Sequence, residues 1–413
     1  MKSDVIVIGS GMAGLVAAAA AAQRGKKTTL LSKGAGTLVI GGGIVDILGY
    51  TEAGKAILSP GAAVEQAQEA HPYAKLGLEN VKQAAKFLQE ICEQEGYAYV
   101  GDLEHNQWVP TAAGTLKPTC LVPRTMDASR LCEAEEIVVV GLKGLKDYPT
   151  ELISKGLERL FGANAKVTQV EIALSVEDGR DVTALDMARW LDSKAGLEEC
   201  AVKLRQVVKS GATLIMPPVL GTKPSYYAFE TLQEATGCHI IETSSMPPAV
   251  TGLRLRKALL AYAKRQGVTI VDNAEAVRAD VKNGRCTAIY TQGFGREHCY
   301  EAAEVIVATG GLYGGGLVAE PNVIQERIFG LPVAAPAESE FWGIQELFSP
   351  GGQPFAKFGV AVDDTLRPVD AAGTVLLENV RFAGRNLAGY DFSYEKSGNG
   401  VALASGYCAG MTV

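Results

Sequence analysis

The stretch SDVIVIGSGMA is an apolar run that breaks at glycine, and GLVAAAAAAQRGKKTTLL continues it as an alanine-rich helix followed by a second apolar strand. Strand, helix and strand in that order predict a βαβ unit. Apolar and charged residues alternate at helical spacing in LENVKQAAKFLQEICEQEG, which predicts a helix with one buried face. From about residue 135 a new series of strands and helices begins: EIVVVGLKG, DYPTELISKGLERLFG, AKVTQVEIAL, TLIMPPVLG, SYYAFETLQEATG and CHIIETSS. Their alternation implies a second α/β unit with a largely parallel sheet. The helix of VTGLRLRKALLAYAKRQGVTIVDNAEAV then leads back to the first unit. ADVKNGRCTAIYTQ reads as part of a hairpin turned at Asn283-Gly284, because Asn-Gly supplies the positive φ angles of a two-residue turn. EHCYEAAEVIVATGG reads as a buried strand that runs into glycine. The pattern places an inserted domain at residues 100–245, between parts of a first domain formed by residues 1–99 and 246–413.

Chemistry enters at the first turn. Gly9, Gly11 and Gly14 form G-x-G-x-x-G between strand and helix: the first makes the turn, the second lets a pyrophosphate approach the backbone, and the third packs helix on sheet. The phosphate then meets the helix N-terminus, where free N–H groups and the macrodipole favour negative charge. An acid usually ends the second strand and binds the ribose of the adenosine half. In TTLLSKGAG that place falls on Ser32, followed by Lys33. Two readings are open: Ser32 binds the ribose and Lys33 a phosphate, or the cofactor is a mononucleotide without an adenosine half. Gly41, Gly42 and Gly43 in TLVIGGGIVDILGY permit a close approach to a flat ring, or make a structural turn. Gly398-Asn399-Gly400 precedes a helix of small residues and offers a second helix N-terminus, or closes a tightly packed loop.

Composition narrows the field. A chain of 413 residues is long enough for two compact units. Its net charge of −7, without a lysine or arginine block, argues against nucleic acid, whose backbone needs a clustered basic face. Cysteines stand at 92, 120, 132, 200, 238, 286, 299 and 408 with no C-x-x-C pair, and the four histidines at 71, 105, 239 and 298 do not cluster. Metal and iron–sulfur ligation therefore have no visible basis, and eight reduced thiols in a cytoplasmic protein are expected. No charged leader precedes the first strand, and the apolar stretch from Met12 to Ala22 falls short of the roughly 20 residues a membrane span needs.

These pieces resemble the fumarate reductase and succinate dehydrogenase flavoprotein superfamily, in which a GSGMAG turn, an ATGG strand end and an RFAGR…GNG segment surround one flavin. Within it, AEVIVATGGLYGGGLVAE, ERIFGLPV, KFGVAVDDTLRPVD and YDFSYEKSGNGVALA are similar to the last third of the B-subunit family of anaerobic glycerol-3-phosphate dehydrogenases. TAAGTLKPTC, IVVVGLKGLKDYPTELI, DMARWLD and MPPAVTGLRLRKALLAYAKRQGV extend the likeness over nearly the whole chain. The resemblance implies an α/β fold: a Rossmann-like flavin-binding domain in two parts, of the glutathione-reductase type, with an inserted second α/β domain. It implies a flavin, FMN in preference to FAD, and this would explain Ser32 in place of an acid.

The implied partners are an FAD-bearing catalytic subunit and an iron–sulfur subunit that docks at the membrane and passes electrons to quinone. Such a chain is cytoplasmic, reaching the inner face of the cell membrane only through a partner. Gly9, Ser10, Gly11, Ala13 and Gly14 are then the phosphate cradle, with Ser32 and Lys33 next to it. Gly41, Gly42, Gly43 and Ile44 lie along the isoalloxazine, with the turn of Gly398, Asn399, Gly400 and Val401 and the strand-end glycines Gly310 and Gly384. Oxidation of sn-glycerol 3-phosphate to dihydroxyacetone phosphate needs a base, a hydride acceptor and cations for the phosphate. Arg254 and Arg256 on the helix after MPPAVTG and Arg385 beside the last glycine turn are the candidate cations, and Arg256 reads equally as a solvent-facing helix residue. No histidine falls in a flavin motif, so no general base is visible. Three readings stand: a dehydrogenase, an electron relay and assembly subunit beside a separate catalytic subunit, or a stand-alone oxidoreductase on another hydroxy acid or dicarboxylate.

Overall fold

The computed structural model describes residues 1–176, 181–245, 247–293 and 296–413; Met246, which opens the quoted MPPAV segment, lies outside them. The opening strand Lys2–Ile8 pairs in parallel with Thr28–Ser32 on one side and with Glu297–Val307 on the other. Thr269–Asp272 extends the sheet beyond Thr28–Ser32. The strand Glu297–Val307 is eleven residues long and serves two neighbourhoods. Its last three residues pair with Val380–Phe382, whereas its beginning pairs antiparallel with Arg285–Gln292, which in turn pairs with Glu275–Lys282. The turn between these last two strands is the expected Asn-Gly hairpin, with Lys282 opposite Arg285 and φ angles of 50° at Asn283 and 71° at Gly284.

The helix Met12–Gln23 is buried from Met12 to Ala21 on every side. An all-round apolar helix needs cover all round. The sheet covers one face and the terminal helix Gly398–Thr412 another, and the terminal helix can approach because it carries glycine at the contacts. A Cβ on Gly406 or Gly410 would lie 2.4 Å from the carbonyl oxygen of Ala13 or Ala17. Gly398, Asn399 and Gly400, expected ahead of this helix, form its first turn.

A second sheet runs in the order His239–Glu242, Thr213–Met216, Glu136–Leu142, Lys166–Ile172, and all its strands are parallel. The helices Thr150–Phe161, Ala184–Leu191, Lys194–Val207 and Tyr227–Thr236 alternate with these strands. Every strand of this sheet comes from between Glu136 and Glu242, and every strand of the first from before or after that span. The helix Leu78–Gln94 buries Val81, Ala84, Leu88, Ile91 and Cys92 on one stripe, as its periodicity predicts. Among the described residues no helix is long and apolar enough to cross a membrane.

Candidate functional site

The three glycines of the first turn have different neighbours. A Cβ on Gly9, whose φ is +110°, would lie 2.3 Å from the carbonyl oxygen of Ala308, and one on Gly14 would lie 1.8 Å from that of Gly9. These two positions are glycine because strand, turn and helix touch there. Among the described residues a Cβ on Gly11 would meet nothing but its chain neighbours within 4 Å, so its missing side chain leaves open space in front of the helix. Gly11 is also the N-cap and provides no side-chain acceptor, which leaves the N–H groups of the first turn without a capping oxygen. Open space and unpaired amides at a helix N-terminus suit an anionic phosphate group.

Around this turn lies a cavity of about 450 Å³. Gly9, Ser10, Gly11 and Ala13 line it after the opening strand; Lys33, Ala274, Glu275 and Ala276 line it just after the two strands on one side of that strand, and Gly310, Gly384 and Arg385 just after the two on the other, with Gly398 and Asn399 of the terminal helix. Gly14 lies behind the turn against Gly9. Ser32 is buried; its hydroxyl shares a 2.7 Å hydrogen bond with that of Ser10, which lies 2.8 Å from the Gly34 carbonyl it donates to. Ser32 thus braces the loop.

The structure places the other expected residues outside the cavity wall. Gly41, Gly42 and Gly43 pack on the start of the helix Val250–Arg265: a Cβ on Gly43 would lie 2.5 Å from the Thr251 carbonyl, and Thr251 Oγ1 donates to Gly42 O at 2.6 Å. Ile44 joins a small apolar cluster with Val109, Val122 and Met126, and its carbonyl accepts from Asn399 Nδ2 at 2.7 Å. Gly400 donates to Asp46 O at 3.1 Å, and Val401 is fully buried in the terminal helix. Arg254 is fully buried, with NH1 and NH2 on Glu242 at 2.6 and 2.9 Å and Nε on Gly221 O at 2.7 Å. It joins the helix Val250–Arg265 to the last strand of the second sheet. Arg256, a candidate cation or a solvent-facing residue from the sequence, is half-buried and does not line the cavity.

Several residues in the cavity wall or directly behind it carry no local signal in the sequence. Glu275 accepts from Lys33 at 2.8 Å and pairs with Arg327 at 2.9 Å, so a carboxylate from a remote strand stands beside the second strand's end, where Ser32 is. Asn386 accepts from Gly311 N at 2.9 Å and Thr309 Oγ1 at 3.1 Å and donates to Val307 O at 3.2 Å, clamping two glycine turns together. On the other side of the opening strand, the Arg385 guanidinium lies 3.9 Å from the centre of the Phe392 ring, and Tyr313 meets the same ring edge-on at 5.5 Å. Among the described residues Arg385 has no ion-pair partner, and burial lowers its pKa. It is a cation in the cavity wall with its charge uncompensated. Glu275 is the only carboxylate on that wall among the described residues, and no histidine reaches it. His71, the most buried histidine, accepts from Tyr73 N at Nδ1 and therefore donates from Nε2 to Glu395 at 3.1 Å.

Behind the wall, burial raises the carboxyl of Glu326 from the usual 4.5 to about 7, against the opposing effect of hydrogen bonds from Phe329 N and Ile328 N. Between these values the folded chain binds a proton that the unfolded chain releases, so this group lowers stability as pH rises from about 4.5 to about 7 and has no further effect above that. Glu326→Gln is expected to remove that slope. Urea unfolding at a series of pH values checks it: a wild-type slope unchanged in the variant would contradict the assignment.

An open glycine cradle at a helix N-terminus, with a cavity along the strand ends, is the geometry of a nucleotide-binding protein. Residues 4–401 match the family described as FAD binding domain, and the chain is a flavin-dependent oxidoreductase of that class. Over 99% of its length it is 32% identical to the B-subunit of a probable anaerobic glycerol-3-phosphate dehydrogenase from Halobacterium salinarum, of which 97% is covered. It is 30% identical over 99% of its length to the anaerobic glycerol-3-phosphate dehydrogenase B-subunit of Vibrio cholerae, 96% covered. The chain belongs to the B-subunit family of anaerobic glycerol-3-phosphate dehydrogenases. Among solved structures it is similar to 3-ketosteroid delta1-dehydrogenase from Sterolibacterium denitrificans, with a TM-score of 0.47 and 13% identity over 99% of this chain and 98% of that one.

Proposed function

We propose that this chain holds FAD along the cavity and serves as a redox subunit of a complex that oxidises sn-glycerol 3-phosphate to dihydroxyacetone phosphate. The observation that carries the cofactor reading is the lining of the cavity: Lys33, Ala274, Glu275 and Ala276, beyond the end of the second strand, share one cavity with the phosphate cradle and with Gly310, Gly384 and Arg385, and an adenosine half would lie on the first group. Glu275 supplies there the carboxylate that Ser32 does not, which removes the reason for preferring FMN. The first-turn amides behind Gly11 would hold the pyrophosphate, and Gly310, Gly384, Gly398 and Asn399 would flank the ring system. A bound flavin supplies the two-electron acceptor that oxidation of a secondary alcohol requires.

The chain's own contribution to the substrate is Arg385. An uncompensated guanidinium in a partly desolvated wall binds a phosphate or carboxylate strongly and orients it. The relay reading has its own support, because the wall offers no free base among the described residues: Glu275 is already shared by two cations, and no histidine is present. In that reading the alcohol is oxidised on a companion subunit and this chain takes the electrons onward, its membrane contact and quinone lying with the companions. Anaerobic mixing separates the two. If the purified, flavin-loaded chain is bleached by glycerol 3-phosphate alone, it has a substrate site, and Arg385→Ala is expected to raise KM roughly 10- to 100-fold for loss of a charge-assisted contact of about 1.5–3 kcal/mol. If bleaching appears only when the companion subunits are added, the relay reading holds. No bleaching with the companions present, but reduction by another hydroxy acid, would overturn both.

A further inference from the structure

We infer that the segment 336–358 is a docking surface for a companion protein of the complex, one that presents an apolar pocket rimmed by lysine and arginine. The inference rests on the multi-subunit reading above. Four large apolar side chains project from this segment: Phe341 is 55% exposed, Ile344 46%, Leu347 73% and Phe348 90%. Single exposed apolar residues are common on protein surfaces, but a cluster within eight positions is a recurrent mark of an interface.

The exposure is built in from beneath. Gln353 acts as an internal strut, accepting from Ile344 N at 3.1 Å and donating to Glu346 O at 2.8 Å. Trp342 turns inward, donating to Pro336 O at 2.8 Å and packing edge-on against Phe358. The polar and half-buried side chains of the segment hold its shape, and its most apolar side chains are left outside.

Charge identifies the occupant. Glu338, Glu340 and Glu346 are exposed around the apolar group, and among the described residues none of them forms an ion pair. A second copy of this chain would bring like charges together across a self-complementary contact, and an anionic lipid surface would repel them. A basic-rimmed partner would pair them while its pocket takes the phenylalanines.

The position also suits electron transfer to or from the cavity. Gly352 lies against Asp391, close enough that a Cβ there would be 2.5 Å from Oδ2, and Asp391 caps the turn Phe392–Glu395. The Phe392 ring carries Arg385 and Tyr313, both in the cavity wall. A protein seated on the segment is thus beside the cofactor's end of the molecule.

The test uses the whole tagged chain produced together with the companion subunits of the dehydrogenase. Leu347→Ser with Phe348→Ser is expected to cut companion recovery at least tenfold while thermal midpoint and bound flavin stay at wild-type values. Reversing Glu338, Glu340 and Glu346 to lysine is expected to weaken recovery as well, and a photo-crosslinker placed at position 348 is expected to capture a companion peptide flanked by lysine or arginine. Undiminished recovery with both variants, with the complex intact, overturns the inference and leaves the multi-subunit reading standing. So does a crosslink from position 348 to a second copy of the chain, or loss of binding to anionic vesicles in the serine variant. If the wild-type chain recovers no companion at all, the multi-subunit reading fails and the inference with it.

Discussion

Arg254→Ala is expected to cost about 3–5 kcal/mol of stability, the range for breaking a buried ion pair by removing one partner. The two side chains are fully buried, the guanidinium meets the Glu242 carboxylate at 2.6 and 2.9 Å, and Leu220 N donates to the same carboxylate at 2.8 Å. Removing the arginine leaves that carboxylate uncompensated in the interior and frees the Gly221 carbonyl. The pair lies where the helix Val250–Arg265 meets the second sheet, so the damage falls on the contact between the two units. Replacing both partners, as Arg254→Met with Glu242→Leu, removes the stranded charge and is expected to cost less than Arg254→Ala alone, because an apolar pair of similar volume often stands in for a buried ion pair. Urea unfolding of the three chains checks this. A stable Arg254→Ala chain that had lost only substrate-dependent reduction would instead restore Arg254 to the substrate-binding role its position in the sequence invites.

Gly11→Val is expected to abolish flavin retention and leave the fold intact. The added side chain enters open space, with no atom of the described residues other than its chain neighbours within 4 Å of its Cβ, and the backbone at Gly11 has φ −78° and ψ −170°, which valine adopts readily. Its effect on the cofactor-free chain is therefore limited to the loss of a glycine N-cap, about 1 kcal/mol. The isopropyl group would occupy the space in front of the helix amides, and a loss of at least about 100-fold in flavin affinity, near 2.8 kcal/mol, is expected. Gly14→Val is the contrasting control. Its Cβ would be 1.8 Å from the Gly9 carbonyl, so that chain should fail to fold before cofactor binding can be tested. Equal flavin content in Gly11→Val and wild type would mean that the cofactor's phosphates lie elsewhere.

Local pattern made much of the architecture legible. Gly9-Ser10-Gly11 is bounded by its strand and helix, the Asn283-Gly284 turn carries its own φ requirement, and the second sheet announces itself by alternating strands and helices. Each of these signals lies within a few residues or one helix length. The cavity wall and the contacts that support it were less legible because much of this is assembled across the chain. Glu275 reaches Lys33 from 242 positions away and Asn386 reaches Gly311 from 75, and neither has a neighbouring motif to mark it. The triplet Gly41–Gly43 shows a different limit: close approach to a ring and close approach to a helix demand the same absence of Cβ, so composition does not separate them. For Arg254 the decisive fact is a carboxylate twelve residues earlier on a different element, a pairing that helix periodicity does not encode.

The proposal that the flavin is a dinucleotide, held from Glu275 past the Gly11 cradle to Arg385, is tested by releasing the cofactor and identifying it. Denaturing the purified wild-type chain beside Gly11→Val, and identifying the nucleotide that each gives up, is the experiment of choice. Close to one FAD per wild-type chain and almost none from the variant is the expected result. FMN from the wild-type chain, or no flavin at all, would contradict it.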